Sequence, residues 1–108
     1  MAGQAGGLMT EERVTGTDAV LVLSGEIDVE TSPGFRERVA DMYDDGVRDL
    51  VIDLRDVTFT DSSAIGSFVV AHKLFAQGGG RLVLRGVHDP TKRVLDVTGL
   101  DRVLNIQE

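Results

Sequence analysis

Two short apolar runs constrain the fold more than any other feature of the sequence. Residues 19–23 (Ala-Val-Leu-Val-Leu) and 50–54 (Leu-Val-Ile-Asp-Leu) have the length and composition of strands, and we interpret the first as buried on both faces. A helix is predicted between them, because apolar side chains recur at helical spacing at Phe35, Val39, Met42 and Tyr43. This order, with its short return, predicts a parallel strand pair joined by a right-handed crossover.

The segments around the first buried run add a hairpin and a helix start. Residues 13–17 predict a shorter strand, which a turn at Thr17-Asp18 would join to the first run. Thr31 or Ser32 is expected to cap the first helix with its hydroxyl, because both precede Pro33, which is suited to a first helical turn.

The second half of the chain continues the alternation. A long helix is predicted after Asp61-Ser62-Ser63, ending at Gln77, and residues 81–85 predict a third strand. A further helix begins at Asp89-Pro90 and ends at Gly99, before a last strand over residues 103–106. The expected fold class is α/β: a small mixed sheet of about four to five strands, with a mostly parallel core and helices packed against it.

Length and composition limit the domain organisation and the class of partner. The 108 residues suit one domain, which we place at residues 11–108, after a flexible, glycine-containing tail at residues 1–10. The chain has no cysteine, no basic-then-apolar leader and no bilayer-length apolar run, so we expect a cytoplasmic protein without disulfides. Its net charge of −7 disfavours nucleic acid and anionic membranes as partners.

A serine pair at a predicted strand-to-helix junction is the main functional candidate. Asp61, Ser62 and Ser63 precede or begin the long helix, where unpaired N–H groups and the helix dipole favour negative charge. A phosphate on Ser62 would add about −1.5 to −2 charge there without unfolding the helix. The alternative is that the three residues only cap the helix, which is the commoner role for these residue types.

Three motifs, in order, resemble the STAS domain family. They are Gly25-Glu26-Ile27-Asp28, the segment 61–66 (Asp-Ser-Ser-Ala-Ile-Gly), and the segment 92–100 (Lys-Arg-Val-Leu-Asp-Val-Thr-Gly-Leu). The resemblance extends from about residue 13 to residue 106 and is closest to the stand-alone bacterial anti-sigma factor antagonists. Three motifs in register are far more specific than any one of them alone.

The resemblance implies a phosphorylation-controlled binding protein. Family members bind an anti-sigma factor and so free a sigma factor for transcription. The anti-sigma factor is commonly a serine kinase that phosphorylates the serine after the motif aspartate, here Ser62. The phosphorylated form no longer binds, and a metal-dependent serine phosphatase restores it. Asp28 matches a loop aspartate that contributes to kinase recognition. The predicted partner-binding residues are thus Asp28, Asp61, Ser62, Ser63, Ala64 and Ser67.

Ala64 departs from the family pattern, which usually has glycine there. Alanine favours the helix by about 1 kcal/mol and adds a methyl group that we expect to lie beside the site, where it would affect the fit to the kinase. Small and apolar residues flank the predicted inward stripe of this helix, which consists of Ile65, Phe68, Val69, His72 and Phe75. The flanking surface is interpreted either as a docking face or as partly buried under a loop.

Other candidate sites have weaker support. His72 is interpreted as a core or boundary residue and His88 as a loop residue, since neither has a partner at metal-ligand spacing. The glycines at 78–80 end a helix and lack the order of a phosphate-binding loop. We therefore expect no catalytic residue, no cofactor and no metal, and a monomer or weak dimer.

Two other functions stay open from the sequence. The chain could be a non-switching STAS scaffold subunit of a stress-signalling or transporter-associated complex, which a large self-assembly would indicate. It could also be an enzyme with Ser62 as nucleophile, which would require a base within hydrogen-bond reach.

Overall fold

The computed structural model describes residues 2–5 and 7–107. Their strands are β1 (Ala2–Ala5), β2 (Leu8–Thr15), β3 (Asp18–Ile27), β4 (Asp49–Thr60), β5 (Arg81–Arg85) and β6 (Asn105–Gln107). Their α-helices are α1 (Ser32–Asp44), α2 (Ser62–Gln77) and α3 (Asp89–Thr98), and a 3₁₀ turn, Leu100–Arg102, follows α3.

The strands form one mixed sheet in the order β1-β2-β3-β4-β5-β6. β2 pairs antiparallel with β1 on one side and with β3 on the other, and β3 to β6 pair in parallel. This confirms the mixed α/β sheet with a parallel core, the β3–α1–β4 crossover unit and the hairpin before it. The hairpin turn lies at Gly16-Thr17, one residue earlier than predicted, because Thr15 already pairs with Asp18.

The start of the chain differs from the predicted tail. Residues 2–5 pair with β2, and residues 8–10 begin β2 itself, so the flexible tail was wrong for these positions. Leu8 is fully buried. Strand pairing uses backbone groups, which a glycine-containing segment also has, and composition therefore gave no sign of it. The tail prediction for Met1 and Gly6 lies outside the described residues.

The core lies on one face of the sheet. Ala19, Leu21 and Leu23 of β3 are buried, while the intervening Val20 and Val22 are only partly buried. The prediction that this strand is buried on both faces was therefore wrong. The parallel strands follow one another in one direction across the sheet, and right-handed crossovers then place all three helices on the same face.

Helices α1 and α2 are packed on that face through aromatic contacts. The rings of Phe35 and Phe68 lie edge to face with centroids 5.8 Å apart, and those of Tyr43 and Phe75 do so at 5.3 Å. Such pairs add about 0.5–1.5 kcal/mol beyond the area that they bury. The two helices therefore hold a fixed relation, which places their N-terminal ends at the same edge of the sheet.

Strand β4 is longer than the predicted run and so determines where the site lies. It continues to Thr60 and pairs there with the end of β3, with Ile27 opposite Thr60. Both strands therefore end side by side, and the loops that follow them meet. No helix among residues 2–5 and 7–107 is long and apolar enough to cross a membrane.

Candidate functional site

The site begins where β3 and β4 end side by side. The backbone N–H of Asp61 donates a hydrogen bond to the carbonyl of Ile27 at 3.2 Å, directly before Asp28. Two sequence motifs that are separated by more than thirty residues therefore meet at one edge of the sheet. The structure places the loop after β3 beside the N-terminus of α2, as expected for the carboxyl ends of neighbouring parallel strands.

Asp61 caps helix α2. Its Oδ1 accepts hydrogen bonds from the backbone N–H groups of Ser63 at 2.8 Å and Ala64 at 3.3 Å, and from the Ser63 hydroxyl at 2.5 Å. The Ser63 hydroxyl, together with the backbone N–H groups of Ser63, Ala64 and Val29, holds the pKa of Asp61 below its ordinary value. Asp61 therefore carries a stable negative charge at neutral pH.

Asp28 fastens the loop that enters α1. Its Oδ1 accepts hydrogen bonds from the backbone N–H groups of Glu30 at 3.0 Å and Thr31 at 3.1 Å. The Thr31 hydroxyl accepts from the Asp28 N–H and donates to the Glu26 carbonyl, both at 2.9 Å. Thr31 thus occupies the N-cap position, but its side chain stabilises the loop rather than the first turn of α1.

Ser62 and Ser63, although adjacent, have different environments. Ser62 is the first residue of α2, it is exposed, and its hydroxyl makes no hydrogen bond to any other described residue. The Ser63 hydroxyl donates its proton to Asp61, so it must accept the 3.0 Å hydrogen bond from the hydroxyl of Ser32 on α1. Of these two serines, Ser62 is the one whose hydroxyl is exposed and makes no hydrogen bond to another described residue.

Ala64 and Ser67 lie inside the protein, and their prediction as partner contacts was wrong. Both have 0% exposed area. The Ser67 hydroxyl donates to the Ser63 carbonyl at 2.9 Å and accepts from Arg36 Nη1 on α1 at 3.1 Å. The Ala64 methyl group therefore packs in the core. The expectation that it would lie beside the site was wrong.

The inward face of α2 is rotated relative to the predicted stripe. Phe68 and Phe75 of that stripe are buried as predicted, whereas Ile65, Val69 and His72 are only partly buried. The other buried positions of α2 have small side chains: Ala64, Ser67 and Ala71. Small side chains allow packed elements to approach closely, so a search for large apolar residues missed these positions.

The two histidines remain apart from the serines. The His88 imidazole bonds to the Arg55 carbonyl through Nε2 at 2.8 Å, and His72 Nδ1 is buried without a hydrogen-bond partner. No base lies within hydrogen-bond distance of the Ser62 hydroxyl in the part of the chain that the structure describes. The same residues contain no group of three metal-binding side chains.

Two neighbours of the site were not singled out from the sequence. Ser32 reaches Ser63 from α1, and the backbone N–H of Val29 helps to lower the pKa of Asp61. Ser32 was considered only as a possible helix cap, and no sequence pattern points to a contact 31 positions away. The one sign in the sequence that Val29 lies near the site is that it directly follows Asp28.

Comparisons with known proteins found a family model and several similar chains. A model of the STAS domain family matches residues 10–108. The chain is 36% identical over 89 residues to the anti-sigma-B factor antagonist of Bacillus subtilis (strain 168), covering 82% of this chain and 81% of that protein. It is 35% identical over 86 residues to the anti-sigma-B factor antagonist of Staphylococcus aureus (strain NCTC 8325 / PS 47), covering 80% of each. The crystal structure of an anti-sigma factor antagonist from Mycobacterium paratuberculosis is similar, with a TM-score of 0.80 and 25% identity, covering 92% of this chain and 84% of that one.

Proposed function

The chain belongs to the STAS domain family, and on that premise we propose that it is an anti-sigma factor antagonist controlled by phosphorylation of Ser62. The unphosphorylated form binds an anti-sigma factor that is also a serine kinase, and a sigma factor is thereby released. Phosphorylation ends the binding, and a serine phosphatase reverses it. One observation carries this proposal: the Ser62 hydroxyl is exposed and unbonded at the start of α2, beside a capping aspartate.

The position of Ser62 explains why a phosphate would not disturb the fold. An N-terminal helix position has free N–H groups and a partial positive charge, which stabilise an anion. The side chain is outside the core, and the capping bonds of α2 belong to Asp61 and Ser63. Phosphorylation therefore changes the surface while the scaffold stays the same.

The same position explains why a phosphate would prevent docking. Phosphorylation adds about −1.5 to −2 charge beside Asp61 and the loop of Asp28. A docked partner would have to remove water from this dianion, and desolvation of an unpaired charge is costly. We therefore expect this surface to bind the anti-sigma factor when Ser62 is unphosphorylated and not to bind it when Ser62 carries a phosphate.

Ser63 is the less suitable acceptor. Its hydroxyl proton is engaged by Asp61 and its oxygen by Ser32. Transfer of a phosphate to Ser63 would break both contacts, including the contact between the N-terminal ends of α1 and α2. We therefore assign the modification to Ser62.

The remaining parts of the proposal follow from this role. The protein itself performs no catalysis, because kinase and phosphatase activities belong to its partners. It needs no cofactor or metal, acts in the cytoplasm as a monomer or weak dimer, and contacts neither nucleic acid nor membrane. Asp28, Asp61 and Ser62 are the proposed surface contacts of the kinase, and Ser63 contributes by positioning Asp61.

A kinase assay tests the assignment. The chain is incubated with ATP and each purified anti-sigma factor encoded in the same genome, and residues 61–73 are then examined by mass spectrometry. We expect phosphate on Ser62 with one of these proteins and none after Ser62→Ala, which should still bind the partner. Ser63→Ala is the matched control and should remain phosphorylated. Transfer to Ser63 would refute the choice of residue, and binding to none of the anti-sigma factors would refute the function.

A further inference from the structure

We propose that Ser32 on α1 is a positioning residue that restricts phosphorylation to Ser62 by holding the hydroxyl of Ser63. This inference rests on the proposed function and concerns which of two adjacent serines receives the phosphate. The hydroxyl oxygens of Ser32 and Ser63 lie 3.0 Å apart, and Ser32 is buried, with 1% of its surface exposed. Its effect on the phosphorylated position is therefore indirect and passes through Ser63.

Two hydrogen bonds hold the Ser63 hydroxyl at once. Its proton is donated to Asp61 Oδ1 at 2.5 Å, and its oxygen accepts the proton of the Ser32 hydroxyl. The side of Ser63 that faces Ser32 is closed to a partner, because Ser32 is buried. The Ser63 oxygen can therefore meet a kinase only after its side chain turns away from α1 and loses the bond to Ser32.

The chemistry of the transfer makes this restraint effective. Phosphoryl transfer forms a bond between a serine oxygen and the γ-phosphorus of ATP and breaks the bond from that phosphorus to the bridging oxygen of ADP. The serine proton passes to a base of the kinase, and the attacking and leaving oxygens are roughly in line. The exposed hydroxyl of Ser62 is free to adopt this alignment, whereas Ser63 must first break a hydrogen bond.

Ser32 is itself fixed in place. Its backbone N–H donates to the Asp28 carbonyl at 2.8 Å, at the start of α1. Nearby on α1, the Phe35 ring packs edge to face against Phe68 of α2. Because these packed elements hold α1, the Ser32 hydroxyl does not follow Ser63 when that side chain turns outward.

The stability of α1 does not explain a serine at position 32. The N-cap position of α1 is Thr31, and no side chain makes a capping hydrogen bond there. Burial of a hydroxyl costs free energy unless the group is hydrogen-bonded, and alanine would occupy the position without that requirement. The Ser32 hydroxyl bonds instead to Ser63 on the other helix, so its effect is on the phosphorylation segment.

Restriction to Ser62 protects the cap of α2. Phosphate on Ser63 would remove the hydroxyl proton that Asp61 accepts and would place a dianion beside that carboxylate. Repulsion between these charges would disturb the first turn of the helix. Phosphate on Ser62 leaves the capping bonds of Asp61 in place.

A second polar contact between the two helices provides a matched control. Arg36 and Ser67 lie one turn further along α1 and α2 than Ser32 and Ser63, and Arg36 Nη1 donates to the Ser67 hydroxyl at 3.1 Å. Ser67 is buried like Ser32, but its hydroxyl donates to the backbone carbonyl of Ser63. Loss of either serine hydroxyl removes a buried bond between the helices, but of the two, Ser32 is the one that holds the Ser63 side chain.

Phosphate transfer in the Ser62→Ala background tests the inference, because Ser63 is then the one hydroxyl left in residues 61–66. The kinase is the purified anti-sigma factor that phosphorylates the wild-type chain in the assay above, and mass spectrometry locates the phosphate. Adding Ser32→Ala should give phosphate on Ser63 at least about fivefold above the level in Ser62→Ala alone, as the loss of one hydrogen bond implies. Adding Ser67→Ala instead should stay within about twofold of that level.

The chain that retains Ser62 gives a second measurement. There, Ser32→Ala should shift part of the phosphate from Ser62 to Ser63, whereas a general loss of structure would lower transfer without changing this ratio. Ser32→Cys keeps the size of the side chain but has a much weaker donor, so it should act in the same way as Ser32→Ala. Thermal unfolding of every variant checks that the fold is intact.

The outcomes separate the two proposals. If the wild-type chain is phosphorylated at neither serine, the proposed function fails and the positioning role with it. If the wild-type chain is phosphorylated at Ser62 and neither Ser32 variant gives phosphate on Ser63, the positioning role alone is refuted. It is also refuted if Ser67→Ala raises transfer to Ser63 as much as Ser32→Ala, because any loosening of the two helices would then be sufficient.

Discussion

The hydroxyl of Ser63 donates a 2.5 Å hydrogen bond to the carboxylate of Asp61, and this contact distinguishes Ser63 from its neighbour Ser62. It supports the cap of α2, while the hydroxyl of Ser62 stays exposed. The Ser32 hydroxyl completes the arrangement by donating to Ser63 from α1. Capping and exposure are thus divided between two neighbouring serines.

Alanine substitutions at the two serines should differ in their effect on stability. Ser63→Ala removes the hydrogen bonds to Asp61 and Ser32 and should lower the free energy of unfolding by about 1–2 kcal/mol. Ser62→Ala removes an exposed hydroxyl without a partner and should change it by no more than about 0.5 kcal/mol. Urea denaturation of both variants checks this, and equal losses would contradict the division of roles.

Charge at position 62 should control binding without altering the fold. Ser62→Glu adds a negative charge beside Asp61, and we expect at least about tenfold weaker binding of the anti-sigma factor, with an unchanged circular dichroism spectrum. Ser62→Gln is the control of similar size, and it should bind more tightly than the glutamate variant. If the two variants bind equally, bulk rather than charge is responsible.

Stability should fall in acid because of a buried aspartate on β4. Burial raises the pKa of Asp53, but hydrogen bonds from Arg55 at 2.8 Å and Arg85 at 3.1 Å outweigh it and lower the pKa to about 2. Because the pKa in the folded protein is below the unfolded value, the stabilisation is present above about pH 4 and is lost as the pH falls toward 2.

The Asp53→Asn variant isolates this effect. The wild type should lose about 2 kcal/mol of stability from this residue between pH 4 and 2, whereas the variant should lose correspondingly less. Denaturant unfolding at a series of pH values measures the difference. Parallel curves for the two proteins would show that Asp53 is not the source.

Two glycines should respond in opposite ways to alanine. Gly66 is exposed on α2, and a Cβ atom there would meet nothing within 4 Å, so Gly66→Ala should raise the free energy of unfolding by about 0.5–1 kcal/mol. Gly25 has a φ of 107°, and its Cβ would lie 2.1 Å from the Gly7 carbonyl oxygen. Gly25→Ala should therefore destabilise by about 1–3 kcal/mol, as thermal unfolding can show.

Regular elements with strong periodicity were predictable from the sequence. β5 has the predicted bounds of residues 81–85, and α2 ends at Gln77 as predicted, because apolar spacing and the glycines at 78–80 mark both. The end of α3 was also predictable, since Gly99 has the positive φ of 77° that favours glycine after a helix. These features depend on local sequence alone.

Features that depend on tertiary contacts were not predictable in the same way. The pairing of residues 2–5 with β2 leaves no apolar pattern, and the burial of Ala64 depends on how α2 packs in the folded chain. At the site, Ser62 could be named from its motif, but its contrast with Ser63 depends on Ser32, which only the folded chain brings near.

The hydrogen bond from the Asp61 N–H to the Ile27 carbonyl joins two segments that come from successive strand–helix units. Partner specificity is therefore not a modular property of either segment. A chimaera that takes residues 28–31 from a relative would place a new loop beside the old N-terminus of α2, and its recognition surface would be mismatched. Redirecting such a protein to a different anti-sigma factor would require both loops to be grafted as one unit.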